Sequence, residues 1–202
     1  MTKKAVNIVW FKRDLRLIDN EALFHAHQSG LPLLLLYIFE PSVMNYDDAD
    51  VRHWRFIYES IQELQKKLKP SNNKIYFFHN EAEFVFSEIS KTFEVKTIFS
   101  HQEIGNKITF DRDIRMQQIF QENNIIWKEF QLHGVIRKLK SRQNWDKRWE
   151  EIMRANPKIL KESELKTIEL TSDFYDSIKG ETLSEEITIP NTIITPFKDV
   201  NY

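Results

Sequence analysis

Lys12, Arg13, Asp14 and Arg16 crowd four charges directly behind the apolar run Ala5, Val6, Ile8, Val9, Trp10 and Phe11. A short run rich in β-branched and aromatic residues predicts a strand buried on both faces. In an open parallel sheet, ligands are held beyond the C-terminal end of such a strand. His101, Gln102 and Glu103 stand in the same relation to the run 95–100, Glu40 follows a run ending at Phe39, and Asn106 lies in the loop after Glu103. Together these residues offer cations (Lys12, Arg13), carboxylates (Glu40, Glu103), an amide (Asn106), a strand-end imidazole (His101) and aromatic walls (Trp10, Phe39). The mixture suits a flat, polar, conjugated molecule, whose ring edges need hydrogen bonds and whose faces need apolar contact. No acid and base pair for breaking bonds is evident, so no catalytic residue is assigned. Asp14 and Arg16 have a competing role as ion-pair partners that fix the strand-to-helix turn, whereas Lys12 and Arg13 are expected to face the ligand.

Other chemistries are excluded by what the sequence lacks. With only Gly30, Gly105, Gly134 and Gly180, neither a Gly-x-Gly-x-x-Gly turn nor a phosphate-cradling P-loop is possible. There is no Gly-x-Ser-x-Gly elbow for a hydrolase triad. The six histidines show neither an i, i+4 pair around a glutamate nor a carboxylate cluster at metal spacing, so no metal site is expected. The absence of cysteine removes disulfides, thiolate metal sites and a thiol nucleophile.

The elements that must position these side chains follow from the hydrophobic pattern. Asp19 or Asn20 is suited to cap a helix through Glu21, Ala22, Leu23, Phe24, Ala26 and His27, with Gly30 as its stop. Residues 32–39 form a second continuous apolar strand. Trp54, Ile57, Tyr58, Ile61, Leu64 and Leu68 then recur at helical spacing across 51–68. A third strand over 74–79 leads to a helix over 81–93, capped by Asn80, with Phe84, Val85, Ile89 and Phe93 inward. After the fourth strand, a helix starting at Thr109 or Asp111 turns Ile114, Ile119 and Phe120 inward, and 125–130 is a fifth strand. Right-handed crossovers through this βαβαβαβαβ order predict an α/β, Rossmann-like fold: a doubly wound five-stranded parallel sheet with helices on both faces. Strand one is expected at the centre, with the loops after strands one and four as the lips of a crevice.

Residues 134–153 form a basic segment carrying Arg137, Lys138, Lys140, Arg142, Lys147 and Arg148, with Trp145 and Trp149 at i, i+4. Basic residues interleaved with aromatics suit nucleic acid, but a solvated charged face with a tryptophan packed on protein is the favoured expectation. The net charge of −1 gives no global pull toward a polyanion or membrane. No apolar run approaches a membrane span and no signal-peptide pattern is present, which predicts a cytoplasmic protein with no membrane partner.

The stretch Trp10-Phe11-Lys12-Arg13-Asp14-Leu15-Arg16-Leu17, followed by Asp19-Asn20 and Ala22-Leu23, resembles the opening signature of the DNA photolyase and cryptochrome family. Phe39-Glu40-Pro41 is similar to the family's acidic-Pro step at a strand end, and Arg112-Asp113 and the 134–153 segment also match. The resemblance implies that residues 1–155 are an α/β antenna domain, which where a pigment is present holds a folate, deazaflavin, flavin or lumazine. Residues 156–202, acidic and Thr- and Ser-rich with Pro190 and Pro196, read as a linker toward an absent helical C-terminal domain. That domain is implied to carry FAD and to meet damaged DNA in a photolyase. The whole protein is then expected to be a deoxyribodipyrimidine photo-lyase or a cryptochrome, and these 202 residues alone to be inactive. In many folate-binding members an Asn-Glu pair shortly precedes the Arg-Asp step. Ile108 and Thr109 stand there instead, with Glu103 and Asn106 further upstream, which leaves the choice of pigment open. A free-standing nucleotide- or flavin-binding module, or an interaction module, of the same fold is the alternative.

Overall fold

The computed structural model describes residues 2–137 and 141–188. Five parallel strands, β1 (Lys4–Phe11), β2 (Leu33–Phe39), β3 (Ile75–His79), β4 (Phe93–His101) and β5 (Ile126–Phe130), form one sheet in the order β3-β2-β1-β4-β5. β1 is central as expected, and the strand order reverses between it and β4. Between the pairs Val6–Val95 and Asn7–Thr97, β4 carries one extra residue. The Asn7 side chain repairs the ladder there by accepting from the Thr97 backbone N–H at 3.0 Å.

Strand parity divides the core. Val6, Ile8 and Trp10 point to one face with Leu34, Leu36 and Ile38, whereas Val9 and Phe11 point to the other with Leu35, Tyr37 and Phe39. Helices α1 (Glu21–Gln28) and α3 (Val51–Leu68), with the single turn α2 (Pro41–Met44) before α3, cover the second face. Helices α4 (Ala82–Thr92) and α5 (Lys107–Glu122) cover the first. A doubly wound fold results. No helix among the described residues is long and apolar enough to cross a membrane.

Asn20 is the α1 cap: its Oδ1 accepts from the Leu23 N–H at 2.9 Å, and its Nδ2 donates to the Asp14 carbonyl and carboxylate and to the Arg16 carbonyl. One buried amide thus closes both the helix and the turn after β1. Asn20→Ala is expected to destabilise the chain by about 1–2 kcal/mol. A urea midpoint indistinguishable from that of the unaltered protein would contradict this.

Two expectations are corrected. Phe84 and Ile114 are exposed, since α5 turns Thr109, Arg112, Asp113, Met116 and Phe120 inward instead and α4 buries Val85, Phe86 and Ile89. α4 is capped at Glu81 rather than Asn80, and α5 begins at Lys107. Part of the stretch 156–202, read as an acidic linker, packs on the core. As far as residue 188 it is docked: Leu160, Leu165, Leu183 and Ile187 join one side of the core, and Ile168, Leu170 and Ile178 the other. Thr167 bridges Leu33, Asn73 holds the Glu162 carbonyl and the Thr167 backbone, and α7 (Ser172–Ile178) and α8 (Glu185–Thr188) follow. The Lys179 carbonyl accepts from the His79 N–H, covering the edge strand β3. Gly180, at φ +79°, makes this possible, because a Cβ there would lie 1.8 Å from the His79 carbonyl oxygen. Pro190 and Pro196 lie outside the described residues.

Candidate functional site

A cavity of about 850 Å³ opens beyond the C-terminal ends of β1 and β2, within the size range of small-molecule sites. Trp10, Arg13, Glu40, Glu103, Asn106 and Arg112 line it from the sheet side, and Asp48, Ala49, Trp54, Phe56, Ile57 and Ser60 from α3 and the loop before it. Tyr37, Arg52 and Thr109 are further lining residues. The sheet thus fixes one wall, and the amphipathic α3 supplies an aromatic one.

Beneath the cavity runs a buried network of ions. Arg112 donates through Nε to Asp113 at 3.0 Å, through Nη1 to Glu40, and through Nη2 to Glu103 at 3.4 Å. Burial alone would lower its pKa, but the three carboxylates overcome this and hold it above the ordinary arginine range. Its guanidinium lies 4.8 Å from the Trp10 ring centroid. Arg13, whose side chain is half-exposed, donates through Nε to Glu103 at 2.8 Å. Burial pushes Glu103 up, and the hydrogen bond and charge of Arg13, with the charges of Arg112 and Lys12, more than reverse it. Gly105 admits this pairing, since a Cβ there would sit 2.2 Å from Arg13 Nη2. Burial pushes Glu40 up to about 7, against the pull of Arg112 and with the added repulsion of Glu81 and Glu83. Glu40 Oε2 and the indole Nε1 of Trp54 are buried without a hydrogen-bond partner among the described residues.

Trp10, Arg13, Glu40, Glu103 and Asn106 meet around one cavity, as the sequence suggested. Asn106 is held at its rim by Asp48, whose carboxylate accepts from Nδ2 at 3.0 Å. Three other candidates are placed differently. Lys12 contributes to the lining of the cavity, but its ammonium is paired inside the protein. It is buried between the Trp10 and Trp127 rings, with Nζ 2.8 Å from Asp113, and burial lowers it below the usual lysine range although Asp113 pulls the other way. Phe39 shares the α3 face of the sheet but is fully buried beneath it, packed edge-on against Tyr37 and Phe77, and does not reach the cavity. His101 is buried away from the cavity, its Nδ1 2.6 Å from Asp14. Burial would raise Asp14, but the bond and charge of His101 override it and hold Asp14 low. Asp14 therefore has the structural role weighed for it, and exposed Arg16 pairs with Asp19.

Sequence reasoning missed Arg112 as a cavity residue, together with Asp113, Arg137 and the α3 wall. The signal was present in Thr109, Arg112, Asp113, Met116 and Phe120, which share one helical face with the buried side of α5. Arg137 donates to the Glu103 carbonyl and to Glu129, tying the basic segment to the site. Helix α6 (Trp145–Met153) lies in that segment and buries none of its residues: Trp149 touches Gly134 and the two indole rings lie 6.4 Å apart, but both are exposed, so the expectation of a tryptophan packed on protein is corrected. Lys138 and Lys140 lie outside the described residues.

Comparison with known proteins gives a consistent answer. The DNA photolyase family model matches residues 7–153. A cryptochrome DASH from Synechocystis sp. is 34% identical over 102 residues, 48% of this chain and 21% of the relative. A deoxyribodipyrimidine photo-lyase from Vibrio cholerae is 32% identical over 129 residues, 62% of this chain and 27% of the relative. The chain thus spans about a quarter of the length of these relatives. The crystal structure of a Synechocystis sp. PCC6803 cryptochrome superposes with a TM-score of 0.66 at 20% identity, covering 92% of this chain and 42% of the other. An archaeal photolyase from Sulfolobus tokodaii, solved with two FAD molecules, gives 0.63 at 20% identity over 87% and 42%. At that identity the superpositions show a shared fold.

Proposed function

This chain belongs to the DNA photolyase family, and on that premise we propose that its strand-end cavity holds a planar antenna pigment: a folate, deazaflavin, flavin or lumazine. One observation above all supports this. The cavity joins aromatic walls to a half-exposed Arg13, so a conjugated ring with a carbonyl or anionic edge fits the surface present. When bound, such a pigment would absorb light and pass its excitation energy to a flavin. The chain's own residues bind and orient it. Arg13 offers its outward N–H groups to an anionic or carbonyl edge, Trp54 and Phe56 give apolar contact, and Arg112 fixes Glu40 and Glu103 so that neither collapses into the space. FAD and damaged DNA are assigned to a helical C-terminal domain of the whole protein, reached through residues 156–202, and that protein is a photolyase or a cryptochrome.

Arg13→Ala tests this reading. Because the side chain is half-exposed, stability is expected to change by less than about 1 kcal/mol. Affinity for the pigment that binds the unaltered chain should fall about tenfold or more with the loss of a charge-assisted contact. A variant that unfolds while its folded fraction binds as before would show Arg13 to be structural. Binding of an adenine nucleotide but of none of the four pigments would favour the free-standing nucleotide module.

A further inference from the structure

We propose that Glu40, Glu81 and Glu83 form a binding site for a hard divalent cation beside the cavity. One carboxylate oxygen of each lies within 4.8 Å of the others, a separation that a single ion coordinated by oxygen spans. The residues come from adjacent strand ends: Glu40 follows β2, and Glu81 and Glu83 open α4 after β3. Glu40 is almost wholly buried, and its Oε2 has no hydrogen-bond partner among the described residues. A buried anionic oxygen left without a partner is costly, and a cation shared with two more carboxylates removes that cost.

The local charge balance favours an ion. Arg115 meets Glu83 at 2.9 Å, and Arg112 divides its charge among Glu40, Glu103 and Asp113. The α4 N-terminus adds only about half a positive charge. About one negative charge is left over on the three glutamates. Glu81 already holds Ser42 through both carboxylate oxygens, at 2.8 Å each, which fixes it across the gap between α2 and α4 and pre-forms the cluster. With oxygen donors alone and no imidazole or thiolate, the site selects Mg²⁺, Mn²⁺ or Ca²⁺ over softer ions, with water completing the shell.

Mn²⁺ serves as the probe, with the 202-residue chain free of pigment, so that the result is independent of the antenna reading. Titration followed by the electron paramagnetic resonance of free Mn²⁺ should show one ion bound per chain, with half-saturation below about 1 mM and displacement by excess Mg²⁺ or Ca²⁺. Glu83→Gln should weaken binding at least about tenfold, while Glu150→Gln, on distant α6, should not. In the unaltered chain, Mn²⁺ should broaden the amide resonances of residues 40 and 81–84 before any others. Broadening centred elsewhere, or equal affinity in the unaltered chain and in folded Glu83→Gln, would overturn the proposal.

Discussion

Replacing Arg112 with leucine is expected to destabilise the domain by about 3–5 kcal/mol, the range for removing one partner from a buried ionic cluster. The guanidinium is the only group that touches Glu40, Glu103 and Asp113 together among the described residues. Leucine would restore apolar contact with Trp10 but leave three carboxylates short of a counter-charge, all three in positions almost closed to water. Asp113 would keep Lys12, and Glu103 would keep Arg13, so Glu40 bears the largest loss. Chemical denaturation checks this through the midpoint at unchanged slope. A loss below about 1 kcal/mol, the size usual for an exposed ion pair, would show that the cluster is not the electrostatic centre of the domain.

The second large effect concerns the cavity itself. Ala49, in the loop before α3, is half-buried and lines the space without entering the ion network. Ala49→Trp should fill much of the entrance, because an indole occupies area comparable with one face of a small heterocycle. Pigment affinity is expected to drop at least about a hundredfold, equivalent to about 2.7 kcal/mol, with stability changed by less than about 1 kcal/mol. An equilibrium fluorescence titration beside a thermal melt separates the two quantities. Undiminished affinity in a folded Ala49→Trp variant would place the pigment elsewhere.

The sheet was legible because five apolar runs alternate with helical patterns, and a strand buried on both faces must be apolar throughout. The same feature concealed the site. In a run such as 33–39, every position is apolar, so the sequence carries no sign of which residues reach the cavity: Tyr37 lines it, whereas Phe39, two residues on along the same face, is sealed in the core. The burial of the Lys12 ammonium was hidden for a different reason. Its position after a strand end suggested exposure, yet Trp10, Trp127 and Asp113 supply the aromatic faces and counter-charge that make a buried ammonium tolerable. Asp113 and Trp127 are more than a hundred residues away in the chain, beyond the reach of any local pattern. Docking of 156–188 escaped notice because its apolar residues, Leu160, Leu165, Ile168 and Leu170, follow no single period. They cross from one face of the sheet to the other around its edge, and such a path has neither helical nor strand spacing. Asn20 and the strand-end loops were legible because caps and turns are local chemistry.

The most direct test of the antenna assignment is a crystal structure of the chain with the tightest-binding of the four pigments. The pigment should lie in the cavity between β1, β2 and α3, with a polar edge within hydrogen-bond distance of Arg13 and a ring face against Trp54 or Phe56. A pigment found on the face of α6 carrying Trp145 and Trp149, or no saturable binding of any of the four, would contradict the assignment.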